Sequence, residues 1–379
     1  GLILIVIGTG LLKPNVSTIV GDIYPEGGAR RDAGFSIFYM GINVGAFLGP
    51  TFCGIVGEGY NWHWGFSLAG FGMVLGLIQY KFGQKYLEGA GELKTGEPRE
   101  ILDSRARKFY GLVAGIVAII VAFGLLVRAG IVSMDLTAFA EGLGYTIVAL
   151  AVFYFVYLLV AGGYDLETKK RLIVIFWLFI LAALFWSGFE QAGSSMNLFA
   201  FELTDRNILG WEMPASTLQN INPLFIIIFA PIFGWLWTWL ARRKANPSIP
   251  MKFALGLLGL AAGFFVLAWG AANASAENPV SPAWLVVTYF LHTVGELSLS
   301  PVGLSSITKL APRDRVGQMM GVWFVATALG NLFAGLVAGR LETLPPDALF
   351  FNVALFSGGA GVLALLAAPF IRKLISKIE

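Results

Sequence analysis

Scored for hydrophobicity alone, the chain is a succession of apolar runs, each about as long as a bilayer is thick. A hydrocarbon core of about 30 Å takes about 20 helical residues at 1.5 Å each. Eleven runs of that size lie near residues 1–24, 34–57, 62–83, 108–128, 143–163, 170–191, 217–240, 251–272, 283–306, 316–339 and 348–371. The breaks between them are charged or rich in Pro and Gly. The longest, KFGQKYLEGAGELKTGEPREILDSRARK, is polar throughout and predicts a linker with no folded soluble domain.

The breaks alternate in basic content. One set holds Arg30 and Arg31, the stretch from Lys81 to Lys108, the KKR at 169–171, the RRK at 242–244 with Lys252, TKLAPRDR, and the terminal RKLISK. Together these carry 22 of the 26 Lys and Arg residues. The opposite set has Arg128, Arg206 and Arg340, and Lys13 alone falls within a span. Lys and Arg accumulate in short cytoplasmic loops, so the basic set and the C-terminus are expected in the cytoplasm.

Composition agrees with an all-α polytopic membrane protein: 57% hydrophobic and 13% charged, with 47 glycines for close helix packing and 14% aromatic residues for the interfaces. The single cysteine, Cys53, excludes an intrachain disulfide and fits a small apolar packing residue. With His63 and His292 the only histidines, and with no phosphate-binding loop or nucleophile elbow, the chain suggests no cofactor, no metal and no enzyme. The basic loops by themselves imply no nucleic acid. The apolar pattern is running by the second residue, without an initiator methionine or signal peptide, which predicts a chain lacking its true N-terminus.

Charge inside a span is costly, roughly 2.5 to 3.5 kcal/mol for Lys or Asp at a helix centre, and marks candidate function. Lys13, Glu190 and Glu296 are such positions; interfacial placement, with the side chain reaching water, is the structural alternative. Asn43, Asn222, Ser298 and Ser300 either line a wet cavity or hydrogen-bond neighbouring helices. His292, one turn before Glu296, is either proton-active or a packing residue. Pro14, Pro223, Pro231 and Pro301 remove backbone donors inside or near spans, either as packing kinks or as gating breaks. Small residues four apart, Gly41, Gly45 and Gly49, and Gly335 and Gly339, predict close helix approach.

The segments GTGLLKPNVSTIVGDIY, RRDAGFSIFYMGINVGAF, FWSGFEQAGSSMNLFA, LQNINPLFIIIFAPIFGWLW, GELSLSPVGLSSITKLAP and GVWFVATALGN closely resemble the proton-dependent oligopeptide transporter family of the major facilitator superfamily. The resemblance covers essentially the whole chain. It implies two six-helix bundles around a central cavity, with an extra inserted helix pair, and a chain that starts at the fourth transmembrane helix. Residues 1–83 would be the remainder of the N-terminal bundle, 84–169 the linker with the inserted pair, and 170–379 the C-terminal bundle. The first-helix E-x-x-E-R segment of the family has no counterpart here.

The function so implied is proton-coupled symport of di- and tripeptides by alternating access, by a monomer in the inner (cytoplasmic) membrane. Its partners would be the peptide, protons and the lipid bilayer. By the same resemblance Lys13 would meet the peptide carboxylate and join in proton coupling with Glu190. Tyr39 and Asn43, one turn apart, would line the cavity. Asn222 and Glu296 would hold the peptide ammonium, and Trp186, Ser300 and Trp323 would shape side-chain pockets. Relatives that carry nitrate or other anions leave a second cargo open, although a dedicated anion carrier has less use for Glu296. An ion channel would need a filter sequence or repeated charged rings, and neither is present.

Overall fold

The computed structural model describes residues 28–375 except 88, 91–97, 134, 209 and 313–314, together with isolated positions before residue 28 (5, 8, 9, 12, 16, 19, 20 and 23). The side chains at 28–36, 39, 136, 308 and 342 are likewise outside it. The expected span near 1–24, including Lys13 and Pro14, therefore lies outside the described residues.

Each of the other ten apolar runs falls on a helix. They are α1 (Gly28–Gly59), α2 (Trp62–Gly83), α3 (Arg99–Arg128), α4 (Leu136–Ala161), α5 (Leu166–Phe189), α7 (Ile221–Arg242), α8 (Ile249–Ala272), α9 (Ala283–Leu310), α10 (Val316–Ala338) and α11 (Pro346–Leu374). A short helix, α6 (Ser195–Glu202), follows α5 after the single 3-10 turn Glu190–Gly193, and a two-residue antiparallel ribbon pairs Asn207–Ile208 with Trp211–Glu212. Nine stretches among the described residues are long and apolar enough to cross a bilayer. The α2 helix is not one of them, because its glycines, His63, Gln79 and Lys81 dilute its hydropathy.

Local chemistry sets several helix starts. Asp165 caps α5 by accepting from the backbone N–H of Thr168 at 3.2 Å, and Asp135 accepts from Thr137 and Ala138 at 2.8 and 3.2 Å ahead of α4. Proline occupies the first turn of α8 and α11, where its missing N–H costs nothing. Pro223 also sits in the first turn of its helix, so it breaks no ladder, whereas Pro231 and Pro301 lie inside α7 and α9.

The chain forms two compact units. In the first, residues 1–38 and 75–140, α3 is apolar along most of its length yet has no buried residue. Apolar surface of that extent is stable only against lipid. The second, residues 39–74 and 141–379, holds a continuous core built from α5, α8, α9, α10 and α11, with Phe185, Phe253, Phe264 and Phe350 fully buried. Within it α8 packs on both α9 and α11, and α5 on α10.

Backbone comes close to backbone between α8 and α9. A Cβ on Gly259 would lie 3.1 Å from the Gly295 Cα, and one on Gly295 would lie 2.6 Å from the Gly256 carbonyl oxygen. Among the described residues, a Cβ on Gly41, Gly45, Gly49, Gly335 or Gly339 would meet nothing within 4 Å, and the close glycine contacts fall elsewhere. Spacing reveals a smooth face but not what packs against it.

Candidate functional site

The polar residues that a membrane penalises concentrate in about two and a half turns of α9, HTVGELSLS at 292–300, where every residue from Gly295 to Ser300 is buried. The Gly256–Gly259–Gly295 contact presses this segment of α9 against α8. On another side it meets the beginning of α7, where a six-residue 3-10 turn, Ala215–Asn220, delivers Asn222 into the first helical turn.

There the side chains bond directly. Asn222 Nδ2 donates to Thr293 Oγ1 at 3.0 Å and to Glu296 Oε2 at 3.1 Å. Thr293, fully buried, donates its own hydroxyl proton to the Tyr289 carbonyl at 2.7 Å. Glu296 is 6% exposed, and its neighbours among the described residues include no cation. The Glu190 carboxylate, which opens the break between α5 and α6, is near enough for its charge to act on Glu296. Among the described residues no donor meets Asn222 Oδ1 or Glu296 Oε1. A buried carboxylate served by a single neutral amide is an expensive group for a fold to keep.

Buried polar atoms without partners among the described residues include His292 Nε2 and Ser300 Oγ, one turn to either side of Glu296 on α9, and Trp186 Nε1 on α5. His292 turns its ring to Phe264 and Phe189, with centroids 4.7 and 6.3 Å away, which favours the packing reading. Trp323 is buried, its ring over Gly303 and edge-on to Phe253. Beside Glu190, the fully buried Gln191 pins the α5–α6 break. Its Nε2 donates to the Ala334 carbonyl of α10 at 3.0 Å, and its Oε1 accepts from Ser195 at 2.6 Å.

A second polar cluster joins the end of α1 to the turn before α7. Glu58 accepts from the backbone N–H groups of Ala215 (3.1 Å) and Ser216 (3.2 Å) and from the Ser216 hydroxyl (2.8 Å), with Arg206 Nη1 at 4.0 Å. Nearby, Asn220 Nδ2 donates to Thr51 Oγ1 at 2.5 Å.

Comparison with known proteins gives the family. The model described as PTR2, POT family, matches residues 1–349. The chain belongs to the POT family. It is 41% identical over 393 residues to the peptide transporter YePEPT of Yersinia enterocolitica subsp. palearctica serotype O:3 (strain YE-P4), covering 100% of this chain and 76% of that protein. It is 32% identical over 385 residues to the di-/tripeptide transporter of Lactococcus lactis subsp. lactis (strain IL1403), again covering 100% and 76%. A crystal structure of a POT family transporter in complex with thioalcohol conjugated peptide superposes with a TM-score of 0.85 at 33% identity, over 97% of this chain and 75% of that one. The helical membrane fold expected from the apolar pattern is thus that of a POT transporter.

Of the residues singled out in the sequence, the structure joins Asn222 and Glu296 by a direct hydrogen bond and brings Glu190 within electrostatic reach. Asn43 is buried on α1. Tyr39 lies on the same helix with its side chain outside the described residues, as is Lys13 altogether. Sequence reasoning passed over Thr293, Gln191, Glu58 and Ser216. Thr293 was within reach, being one helical turn before Glu296 and so on its face. Glu58 and Ser216, 158 positions apart in the chain, carry no local signal of their meeting.

Proposed function

We propose that this POT-family chain carries out proton-coupled symport of di- and tripeptides into the cell by alternating access. The observation that carries this reading is the Asn222–Glu296 pair: a buried carboxylate bonded to an amide, with Asn222 Oδ1 and Glu296 Oε1 meeting no donor among the described residues. An ammonium has three N–H donors and a full positive charge, so a peptide N-terminus both satisfies the acceptors and neutralises the buried carboxylate. Trp186 Nε1 and Ser300 Oγ are buried donors suited to peptide carbonyls, with Trp323 and Asn43 as further walls. The relatives named as peptide transporters and the peptide-bound solved structure support the same cargo.

At the other end of the zwitterion, Lys13 and Tyr39 complete the site, the lysine meeting the carboxylate. Proton coupling falls to Glu190 and Lys13, because a carboxylate that changes partners between two conformations changes its preference for a proton, and protonation then biases which conformation prevails. The drive is about 1.4 kcal/mol per pH unit and about 2.3 kcal/mol per 100 mV for each charge moved. The two halves of the transporter, residues 1–83 and 170–379 on either side of the inserted pair, rock about the site. The protein acts as a monomer in the inner membrane, with its basic loops and C-terminus in the cytoplasm.

Uptake of labelled dialanine by the full-length gene product in proteoliposomes with an acidic exterior tests this. Accumulation that a protonophore abolishes is expected; absence of dialanine uptake alongside nitrate transport would overturn the reading in favour of an anion carrier.

A further inference from the structure

We propose that Thr293 is a positioning residue for substrate: it holds the Asn222 amide in the one orientation that presents an acceptor to the peptide ammonium. The inference rests on the reading of Asn222 and Glu296 as the ammonium site.

An asparagine amide has a donor end and an acceptor end of nearly the same shape, so its neighbours decide which way round it sits. Thr293 has one hydroxyl proton, and that proton is committed to the Tyr289 carbonyl at 2.7 Å, one turn back along α9. Its oxygen therefore offers Asn222 lone pairs only. At 3.0 Å it accepts from Nδ2, and the opposite orientation would set two acceptors face to face. Glu296 Oε2, at 3.1 Å from the same Nδ2, enforces the same orientation while it is ionised. Once protonated it can donate, and it then tolerates either end of the amide. Thr293 does not titrate. It keeps Nδ2 turned to α9 and Oδ1 turned away, whatever the state of Glu296.

Burial makes the device effective. Thr293 is fully enclosed, its β-branched side chain has few rotamers within a helix, and no water competes for its oxygen. Being one turn apart on α9, Thr293 and Glu296 grip both N–H bonds of one amide, and the remaining oxygen is left for the ligand.

The test compares equilibrium binding of dialanine with that of N-acetyl-dialanine, which lacks the ammonium, in the full-length protein. Thr293→Val keeps the shape and removes the acceptor, and Thr293→Ser keeps the acceptor. For Thr293→Val we expect dialanine to bind about tenfold more weakly, the scale of one hydrogen bond to a charged group. N-acetyl-dialanine binding should not change, and Thr293→Ser should bind both as the natural protein does. Equal weakening of the two ligands, or no change in either, would overturn the role of Thr293. Asn222→Ala separates the two levels. If it keeps the natural preference for the free ammonium, the ammonium-site reading falls and the positioning role with it. If it loses that preference while Thr293→Val retains it, only the positioning role falls.

Discussion

Two carboxylates in the second unit are treated in opposite ways. Glu58, at the end of α1, accepts three hydrogen bonds from Ala215 and Ser216 and has a guanidinium at 4.0 Å. Glu296, more deeply buried, receives one hydrogen bond, from a neutral amide. Glu58 has been given every partner its charge calls for, so it works as a fastener between α1 and the turn leading into α7. Glu296 has been left with capacity to spare. A fold under selection for stability alone would replace such a group with an apolar one, so the shortfall marks where a cation is expected to visit. Within one membrane protein, the two carboxylates thus differ in how many donors the fold gives them.

The largest effect should come from the under-served carboxylate. Glu296→Gln removes the charge proposed to face the ammonium, and dialanine affinity should fall about a hundredfold or more in equilibrium binding, the scale of a lost buried ion-pair partner. Glu58→Gln should leave affinity within about threefold, since its carboxylate meets protein donors and not the ligand. Similar losses from both substitutions would break the comparison.

Next in size is a test of Glu58 and its neighbours as a fastener that must part during transport. A Cβ on Gly54 would lie 3.3 Å from the Ser216 Cβ, close to the spacing a disulfide spans. In a Cys53→Ser background, Gly54→Cys with Ser216→Cys should cross-link on oxidation, abolish dialanine uptake, and recover when a reductant is added. Full transport by the cross-linked protein would show that this contact stays closed throughout the cycle.

The smallest effect is expected at a carboxylate that only caps a helix. Hydrogen bonds from Thr168 hold the Asp165 carboxyl below its ordinary value of 3.8. Its folded-state pKa is thus depressed, so its contribution to stability is complete above that ordinary value and is lost as pH falls through the lowered one. Asp165→Ala should reduce the melting temperature slightly at neutral pH, leave dialanine uptake unchanged, and have no effect at strongly acid pH. A marked loss of uptake would mean that the start of α5 does more than begin a helix.

Much of the fold was legible because a bilayer imposes a length and a polarity on every span, and both are local properties. The ten described runs landed on helices, with ends displaced by a few residues to up to nine where polar flanks continue the helix, as Arg99–Lys108 does at the start of α3. The site was legible in part for a related reason: Asn222, Glu190 and Glu296 are residues a membrane penalises, so each stands out from its own neighbourhood. Packing was not. Among the described residues the glycine stripes marked in the sequence meet no neighbour, while Gly256, Gly259 and Gly295, unremarkable by spacing, carry the α8–α9 contact.

By itself, then, the sequence determined that this chain is a set of bilayer-length helices, where its loops lie, and which few polar groups are too costly to be incidental. Each of those follows from transfer free energies summed over neighbouring residues. Only the tertiary structure decided that Asn222 and Thr293 meet over Glu296 and that Glu58 is sated with donors. Those facts depend on side chains brought within about 3 Å across 71 to 158 residues of chain, a range over which local pattern carries no information.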